Sequence, residues 1–181
     1  MIKTLALLIV AVFGISGSVH AATGFGFSFK GVDGEPLALD QYRGKAILVV
    51  NTATACGFSY QFKHLEEVWR DRKNDGLVIV GVSSNDFGGQ EPRTGKALLN
   101  HCKGKYGVSF PLTERTAVVG PNAHPFYQWA AEQSGTQPKW NFHKYVIGRD
   151  GKLVGSFPSS VDPRSAQMAL AITSALKRPT P

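Results

Sequence analysis

Residues 46–58 have the sequence AILVVNTATACGF and contain the clearest structural pattern in the chain. The apolar run Ala46–Val50 has the length and composition of a buried strand. Small and polar residues follow it over residues 52–58, which predicts a turn that contains Cys56. A helix is then predicted from about Tyr60 to Asn74, since large apolar residues recur there at helical spacing. Cys56 is therefore expected where a buried strand passes into a helix.

The remaining elements are predicted on both sides of this stretch. A short strand and turn precede it, and further strands and helices follow it before a hairpin and a last helix. In chain order, these elements are a strand near Phe25–Phe29, a strand over Leu77–Val82, a loop over residues 83–95, a helix over Lys96–Lys103, an extended segment over Tyr106–Phe110, a helix over Pro125–Gln133, a hairpin of residues 140–147 and 152–157, and a helix that starts at Asp162–Pro163 and continues to about Leu176.

This order of elements predicts an α/β domain. A strand–helix–strand unit followed by a hairpin and a helix favours a central mixed β-sheet flanked by helices. The same order is typical of the thioredoxin-like fold. At the start of a helix, backbone N–H groups and the helix dipole stabilise an anion. The predicted position of Cys56 therefore favours the thiolate form, which is the reactive form of a cysteine.

The first 21 residues have the features of a secretory signal peptide. Lys3 is the only Asp, Glu, Lys or Arg before Lys30, and the run Leu5–Ile15 is broken only by a glycine. Residues 19–21, Val-His-Ala, match the small–x–small pattern that signal peptidase cleaves. We therefore predict a signal peptide over residues 1–21 and a periplasmic or secreted mature protein.

Cleavage after Ala21 leaves residues 22–181, which suit a single globular domain. Cleavage after Ala22 is the second choice. An uncleaved membrane anchor is the alternative, although the apolar run is shorter than the roughly 20 residues that span a bilayer. After processing, we expect no stable insertion into a membrane.

The chain is basic, with a formal net charge of +7. Its lysines and arginines are scattered along the sequence and form no dense stripe, so we expect no nucleic-acid partner. The favoured interpretation of the charge is solubility in an envelope compartment. The alternative is attraction of an acidic reductant or of an anionic membrane surface.

The chain contains two cysteines, Cys56 and Cys102. In an exported protein, two cysteines commonly form a structural disulfide, and such a bridge would leave Cys56 unable to react. The alternative is that Cys56 attacks a peroxide. That reaction requires a thiolate and neutral donors that stabilise the departing oxygen. A carboxylate base is unnecessary, and one close to the sulfur would disfavour the thiolate.

Neutral donors occur in two marked segments of the chain. Gln90 lies in a polar, glycine-rich loop, and the pair Trp140 and Asn141 lies at the entry to the predicted hairpin. Considered as residue types alone, Trp140 is more commonly a core residue and Asn141 more commonly a turn or capping residue.

Three segments resemble motifs of the glutathione peroxidase family. Residues 51–58, NTATACGF, resemble its peroxidatic-cysteine motif. Residues 87–92, FGGQEP, resemble its second signature, and residues 139–142, KWNF, resemble its third. The motifs occur in the family's order, and the resemblance extends from about Phe25 to the final helix. It therefore covers nearly all of the predicted mature chain.

The resemblance implies a peroxidase site formed by Cys56, Gln90, Trp140 and Asn141. Cys56 would attack hydrogen peroxide or an organic hydroperoxide and become a sulfenic acid. The other three side chains would hydrogen-bond the sulfur and the peroxide. This is the cysteine form of the family rather than the selenocysteine form. We expect no cofactor and no metal, since the histidines lack paired ligand spacing and the chain has no Cys-x-x-Cys.

Residues 99–108, LNHCKGKYGV, resemble the helix that carries the resolving cysteine in the thioredoxin-dependent branch of the family. The implied cycle has Cys102 condensing with the Cys56 sulfenic acid to form a disulfide. A thioredoxin-like protein or glutathione would then reduce that disulfide. The flanking helices would have to loosen before the sulfurs could approach to the ~2 Å bond distance. Ser84 stands where many members have a third cysteine.

The loop over residues 112–139 lacks the insertion of the tetrameric animal forms, which implies a monomer. It also weakens the case for a built glutathione site, so we assign no glutathione-binding residues. Two other functions stay open at this level. One is a thiol-based peroxide sensor, and the other is a structural thioredoxin-fold protein with a permanent bridge between Cys56 and Cys102.

Overall fold

The structure is a computed structural model and describes residues 23–180. The predicted signal peptide and both candidate cleavage positions lie outside these residues. The described chain begins with a short 3₁₀ turn, Gly24–Gly26, which is followed by two antiparallel strands. These strands are β1 (Ser28–Lys30) and β2 (Pro36–Ala38).

A four-stranded mixed sheet lies at the centre of the domain, as the sequence predicts. Strand β3 occupies an inner position, where it pairs in parallel with β4 and antiparallel with β5, and β5 pairs antiparallel with β6. All residues of β3 and β4 are buried, because helices or loops cover both faces. In chain order the strands are β3 (Ala46–Thr52), β4 (Leu77–Ser83), β5 (Lys144–Ile147) and β6 (Leu153–Phe157).

Within the described residues, four α-helices flank the sheet and bury its two faces. Leu48 and Val50 belong to a core on one face that also contains apolar residues of α1, α2 and α4. Ile47 and Val49 point to the opposite face, where they join apolar residues of α3. The helices are α1 (Gln61–Arg72), α2 (Gly95–Tyr106), α3 (Pro125–Ser134) and α4 (Ala166–Lys177).

The predicted start of the last helix at Asp162–Pro163 is wrong. Helix α4 begins at Ala166, and the Ser165 side chain caps it by accepting a hydrogen bond from the Met168 N–H at 3.3 Å. The Asp162 carboxylate instead contacts the His64 ring at 2.7 Å, and it also accepts a hydrogen bond from the Arg164 N–H. The acid therefore fixes the loop before the helix rather than the helix itself.

Two further boundaries differ from the sequence prediction. Residues 140–143 form a turn, and β5 starts only at Lys144. Phe142 explains the difference, because its φ of 65° is incompatible with a strand. Tyr106, predicted as extended, is the last residue of α2, and the left-handed Gly107 ends that helix.

Within residues 23–180, no helix is long and apolar enough to cross a membrane.

Candidate active site

Cys56 lies at the junction between strand β3 and helix α1. It caps a 3₁₀ turn, Gly57–Tyr60, that leads directly into α1. Its Sγ atom accepts a hydrogen bond from the Phe58 N–H at 3.4 Å. The residue is only 4% exposed. The sequence prediction for its place in the fold is thus confirmed, with a 3₁₀ turn rather than an α-turn beside the sulfur.

Gln90 is held beside the Cys56 turn by its own backbone. The Gln90 carbonyl accepts a hydrogen bond from the Ala55 N–H at 3.0 Å, one residue before the cysteine. Two successive glycines, Gly88 and Gly89, have φ values of 67° and 65° and lie in the left-handed region. Glycine adopts that region without steric cost, and the pair turns the chain back toward β3.

The side chains of Gln90 and Asn141 are in direct contact. Asn141 is fully buried, and its Nδ2 donates hydrogen bonds to the Gln90 Oε1 at 3.1 Å and to the Phe87 carbonyl at 3.5 Å. Because the oxygen of the Gln90 amide is engaged, its Nε2 is the end that can donate to another molecule. The Asn141 Oδ1 is buried and has no partner among the described residues, so it is an unused acceptor.

Trp140 forms part of the exposed rim of this region. Its side chain is 40% exposed, and its ring lies 5.8 Å from that of Phe87, measured between centroids. The Trp140 carbonyl accepts a hydrogen bond from the Asn51 Nδ2 at 3.1 Å. The Asn51 carbonyl in turn accepts from the Phe142 N–H at 2.6 Å. Asn51, at the end of β3, therefore holds the turn that carries Trp140 and Asn141.

Cys102 lies in helix α2 and is fully buried. It belongs to the same hydrophobic core as Cys56, and both thiols are free. Burial, and after it the carboxylate of Glu91, raise the pKa of Cys102 to about 12, while the Arg93 guanidinium opposes them. In this conformation Cys102 is therefore a neutral thiol, and α2 must loosen before the thiol can act as a nucleophile.

Four residues that hold the site together were not singled out from the sequence. They are Asn51, Thr54, Glu91 and Arg93. Glu91 is fully buried and accepts hydrogen bonds from the Thr54 N–H at 2.9 Å and the Thr54 hydroxyl at 2.7 Å. The sequence signal that could have identified Glu91 was its position in the Gln-Glu-Pro segment, next to the predicted site residue Gln90.

In the described part of the chain, no three His, Cys, Asp or Glu side chains are grouped so that they could hold a metal ion.

Comparison with known proteins identifies the family of the chain. The family model for glutathione peroxidase matches residues 25–131 of the chain. The chain belongs to the glutathione peroxidase family. It is thus a thiol peroxidase and an oxidoreductase, as three motifs in its sequence imply.

Curated relatives are similar to this glutathione peroxidase over most of its length. The hydroperoxy fatty acid reductase gpx1 of Synechocystis sp. is 38% identical over 149 residues, which cover 77% of this chain and 88% of the relative. The glutathione peroxidase-like peroxiredoxin GPX5 of Chlamydomonas reinhardtii is 38% identical over 145 residues, which cover 78% of this chain and 90% of the relative.

Solved structures support both the family and the fold. The crystal structure of Trgpx in its apo form matches with a TM-score of 0.73 and 35% identity, covering 89% of this chain and all of that chain. A thiol:disulfide interchange protein of the thioredoxin family from Chlorobium tepidum TLS matches with a TM-score of 0.57 and 22% identity, covering 83% of this chain and 92% of that chain. This glutathione peroxidase therefore has the predicted thioredoxin-like fold.

Proposed function

We propose that Cys56 is the peroxidatic nucleophile of this glutathione peroxidase. Its thiolate attacks the outer oxygen of hydrogen peroxide or an organic hydroperoxide. The S–O bond forms as the O–O bond breaks, and the second oxygen leaves as water or an alcohol after it takes up a proton. Cys56 is thereby oxidised to a sulfenic acid, and the peroxide is reduced.

One observation carries this proposal, namely the hydrogen bond between Asn141 and Gln90 beside the Cys56 turn. It joins two neutral amides from distant motifs, one of them in the loop bound to the residue before Cys56, and it leaves the Gln90 Nε2 available as a donor. A preorganised neutral donor stabilises the charge that develops on the departing oxygen. We assign the same role to the indole of Trp140, and the unused Asn141 Oδ1 is suited to accept a peroxide O–H.

In the second step, we assign Cys102 as the resolving cysteine. The Cys102 sulfur attacks the sulfur of the Cys56 sulfenic acid, an S–S bond forms, and the oxygen leaves as water. The common hydrophobic core of the two cysteines and the free state of both thiols support this assignment. Replacement Cys102→Ser should leave the first oxidation of Cys56 intact and abolish the disulfide. A sulfenic acid trapped by a dione probe and detected by mass spectrometry is the expected product.

The last step returns both cysteines to thiols by two-electron thiol–disulfide exchange. We propose a thioredoxin-like dithiol protein or glutathione as the donor. The names of the relatives, a peroxiredoxin and a hydroperoxy fatty acid reductase, support hydroperoxides that include those of fatty acids as substrates. The purified protein should consume peroxide at steady state, and a parallel assay with glutathione and with a thioredoxin system identifies the donor.

Experiments on the wild type and on the variant Cys56→Ser separate the peroxidase function from a peroxide sensor and from a structural disulfide. The variant should abolish peroxide consumption with either donor. If the wild type consumes no peroxide but Cys56 still becomes oxidised, the protein is a sensor. If the Cys56–Cys102 bridge resists reduction in the folded protein, the bridge is structural and the peroxidase mechanism fails.

We propose further that the mature enzyme is a monomer that works in the periplasm or outside the cell. The sequence of residues 1–21 supports export, and the short segment over residues 112–139, which contains α3, supports the monomer. The intact mass of protein recovered from the cell envelope or medium tests the first proposal, since a retained Met1 contradicts it. Light scattering of that material tests the second.

A further inference from the structure

The only acid in the Gln90 signature, Glu91, has an unusual environment for a carboxylate. Its side chain is fully buried, and its Oε2 accepts a hydrogen bond from the Thr54 N–H at 2.9 Å. Its Oε1 accepts from the Thr54 hydroxyl at 2.7 Å and from the Arg93 N–H at 3.2 Å. A buried carboxylate is costly unless such bonds compensate the loss of water. The attack of a thiolate on a peroxide needs no carboxyl group at this place, so these hydrogen bonds point to a different role for Glu91.

Thr54 connects the Glu91 carboxyl group to the backbone that carries Cys56. It lies two residues before Cys56 and is itself buried. Its hydroxyl accepts a hydrogen bond from the Arg93 Nη1 at 3.0 Å, and its carbonyl accepts one from the Tyr106 hydroxyl of α2 at 3.5 Å. The position of Thr54 is therefore fixed from the Glu91 loop and from the helix that carries Cys102.

The next residue extends the same connection. Ala55 donates its N–H to the Gln90 carbonyl at 3.0 Å, so residues 54 and 55 are both bound to the Gln90–Glu91 dipeptide. These bonds decide where the sulfur lies relative to the Gln90 amide. A displacement of about 1 Å at such a site lowers a reaction rate by roughly a hundredfold.

We propose that Glu91 is a positioning residue of the peroxidase reaction, which clamps the Thr54–Cys56 turn against the Gln90 loop so that the sulfur meets the peroxide. This inference rests on the proposed role of Cys56. Glu91 does not touch the reacting atoms. It acts through Thr54, and its own position is secured by its N–H, which donates to the Asn85 Oδ1 at 2.9 Å.

The test is the variant Glu91→Gln in single-turnover experiments. An amide presents one acceptor and one donor, so it loses at least one of the bonds that the carboxylate receives from Thr54 and Arg93. Reduced protein is mixed with hydrogen peroxide, and oxidation of Cys56 is followed by rapid quenching with an alkylating reagent. We expect the second-order rate constant of oxidation to fall roughly ten- to hundredfold. The first-order rate of disulfide formation should not fall by a comparable factor.

Glu66 offers a matched control on helix α1. It is buried, and it accepts hydrogen bonds from the Ser109 N–H at 2.8 Å and the Ser109 hydroxyl at 2.6 Å, together with one from the Arg70 Nε at 2.6 Å. Like Glu91, Glu66 accepts hydrogen bonds from the N–H and the hydroxyl of a single residue, but none of its hydrogen bonds involves the Cys56 turn. Glu66→Gln should lower thermal stability without lowering the rate constant of Cys56 oxidation.

Thr54 variants keep the inference testable if Glu91→Gln does not fold. Thr54→Ser retains the N–H and the hydroxyl, so it should oxidise like the wild type. Thr54→Val retains only the N–H, so its rate constant of Cys56 oxidation should fall below that of Thr54→Ser, and equal rate constants in these two variants overturn the inference. A wild-type rate in a folded Glu91→Gln, or an equal loss in Glu66→Gln, overturns the inference. If Cys56 of the wild type is itself unreactive, the proposed function fails first.

Discussion

The Asn141 Nδ2 and the Gln90 Oε1 lie 3.1 Å apart, although 51 positions separate the two residues in the chain. This bond fixes which end of the Gln90 amide is free. A glutamine in a loop would otherwise present either its oxygen or its nitrogen to a substrate. Asn141 selects the nitrogen, which is the end that can stabilise a negative charge.

Replacement of Asn141 should therefore weaken catalysis through Gln90. In Asn141→Ala the Gln90 Oε1 loses its donor, and the amide is free to turn. We expect kcat/KM for hydrogen peroxide to fall roughly a hundredfold, as when one preorganised donor is lost. Steady-state kinetics measure the change, and thermal unfolding confirms that the variant is folded. An unchanged kcat/KM in the folded variant contradicts the role of this pair.

The left-handed glycines before Gln90 give a second prediction. At Gly89 a Cβ would meet no atom within 4 Å, so Gly89→Ala is strained only by its φ of 65°. We expect a loss of roughly 1–2 kcal/mol in the free energy of unfolding, and a loss of activity as the loop shifts Gln90.

Gly34 in the β1–β2 hairpin is the matched control. It has a φ of 93° and equally open space around its Cβ position. Gly34→Ala should cost a similar free energy of unfolding and leave kcat unchanged. Equal losses of activity in the two variants would show that strain alone, and not the position of Gln90, lowers the rate.

The environment of Cys102 predicts how resolution depends on pH. Burial and Glu91 raise its pKa to about 12, so the thiolate is scarce at neutral pH. Because the thiolate is the attacking form, the rate of disulfide formation should rise throughout pH 7 to 9 without a plateau. Stopped-flow fluorescence after one equivalent of peroxide measures this rate, and Cys102→Ser should lack the phase. A rate independent of pH would mean that opening of α2 alone is limiting.

Lys144 predicts the pH dependence of stability. This residue of β5 is fully buried, and its Nζ donates to the Val161 carbonyl at 2.6 Å and to the Ser159 carbonyl at 3.4 Å. Burial lowers its pKa to about 7, although the Asp162 carboxylate opposes the shift. Above pH 7 the unfolded chain binds a proton at this lysine that the folded chain does not. Stability should therefore rise with pH.

Between pH 7 and 8 we expect the rise to reach roughly 1 kcal/mol per pH unit. Above pH 8 the raised pKa of buried Cys102 acts in the opposite direction and offsets part of the rise. Chemical denaturation at several pH values measures it. The Lys144→Met variant should lose the slope whatever its stability at pH 7. A slope that is the same in both proteins would show that Lys144 stays charged in the folded state.

Much of the scaffold could be predicted from local patterns, whereas the contacts of the site could not. The run Ala46–Val50 identified a buried strand, and the helical spacing of apolar residues from about Tyr60 to Asn74 placed Cys56 before a helix. Gln90, Trp140 and Asn141 followed from the family resemblance, since single amides and aromatic residues occur in many structural roles. Only the folded chain shows that the two amides meet and that the Trp140 ring stays at the rim.

The errors had tertiary causes. Asp162–Pro163 has the composition of a helix start. The Asp162 carboxylate instead contacts the ring of His64, 98 positions earlier in the chain, and Ser165 caps the helix. The turn over residues 140–143 was predicted as extended because no local sequence pattern indicates the left-handed φ of Phe142. Asn51 holds that turn from strand β3, and this bond depends on the register between β3 and β5.

The position of Trp140 has a practical consequence. The chain contains three tryptophans. Trp69 packs against Phe110 and Trp129 against Phe126, whereas Trp140 adjoins Asn141 and is 40% exposed. The change in tryptophan emission during the redox cycle should therefore come mainly from Trp140 at the rim of the site, and it can be followed without an added label.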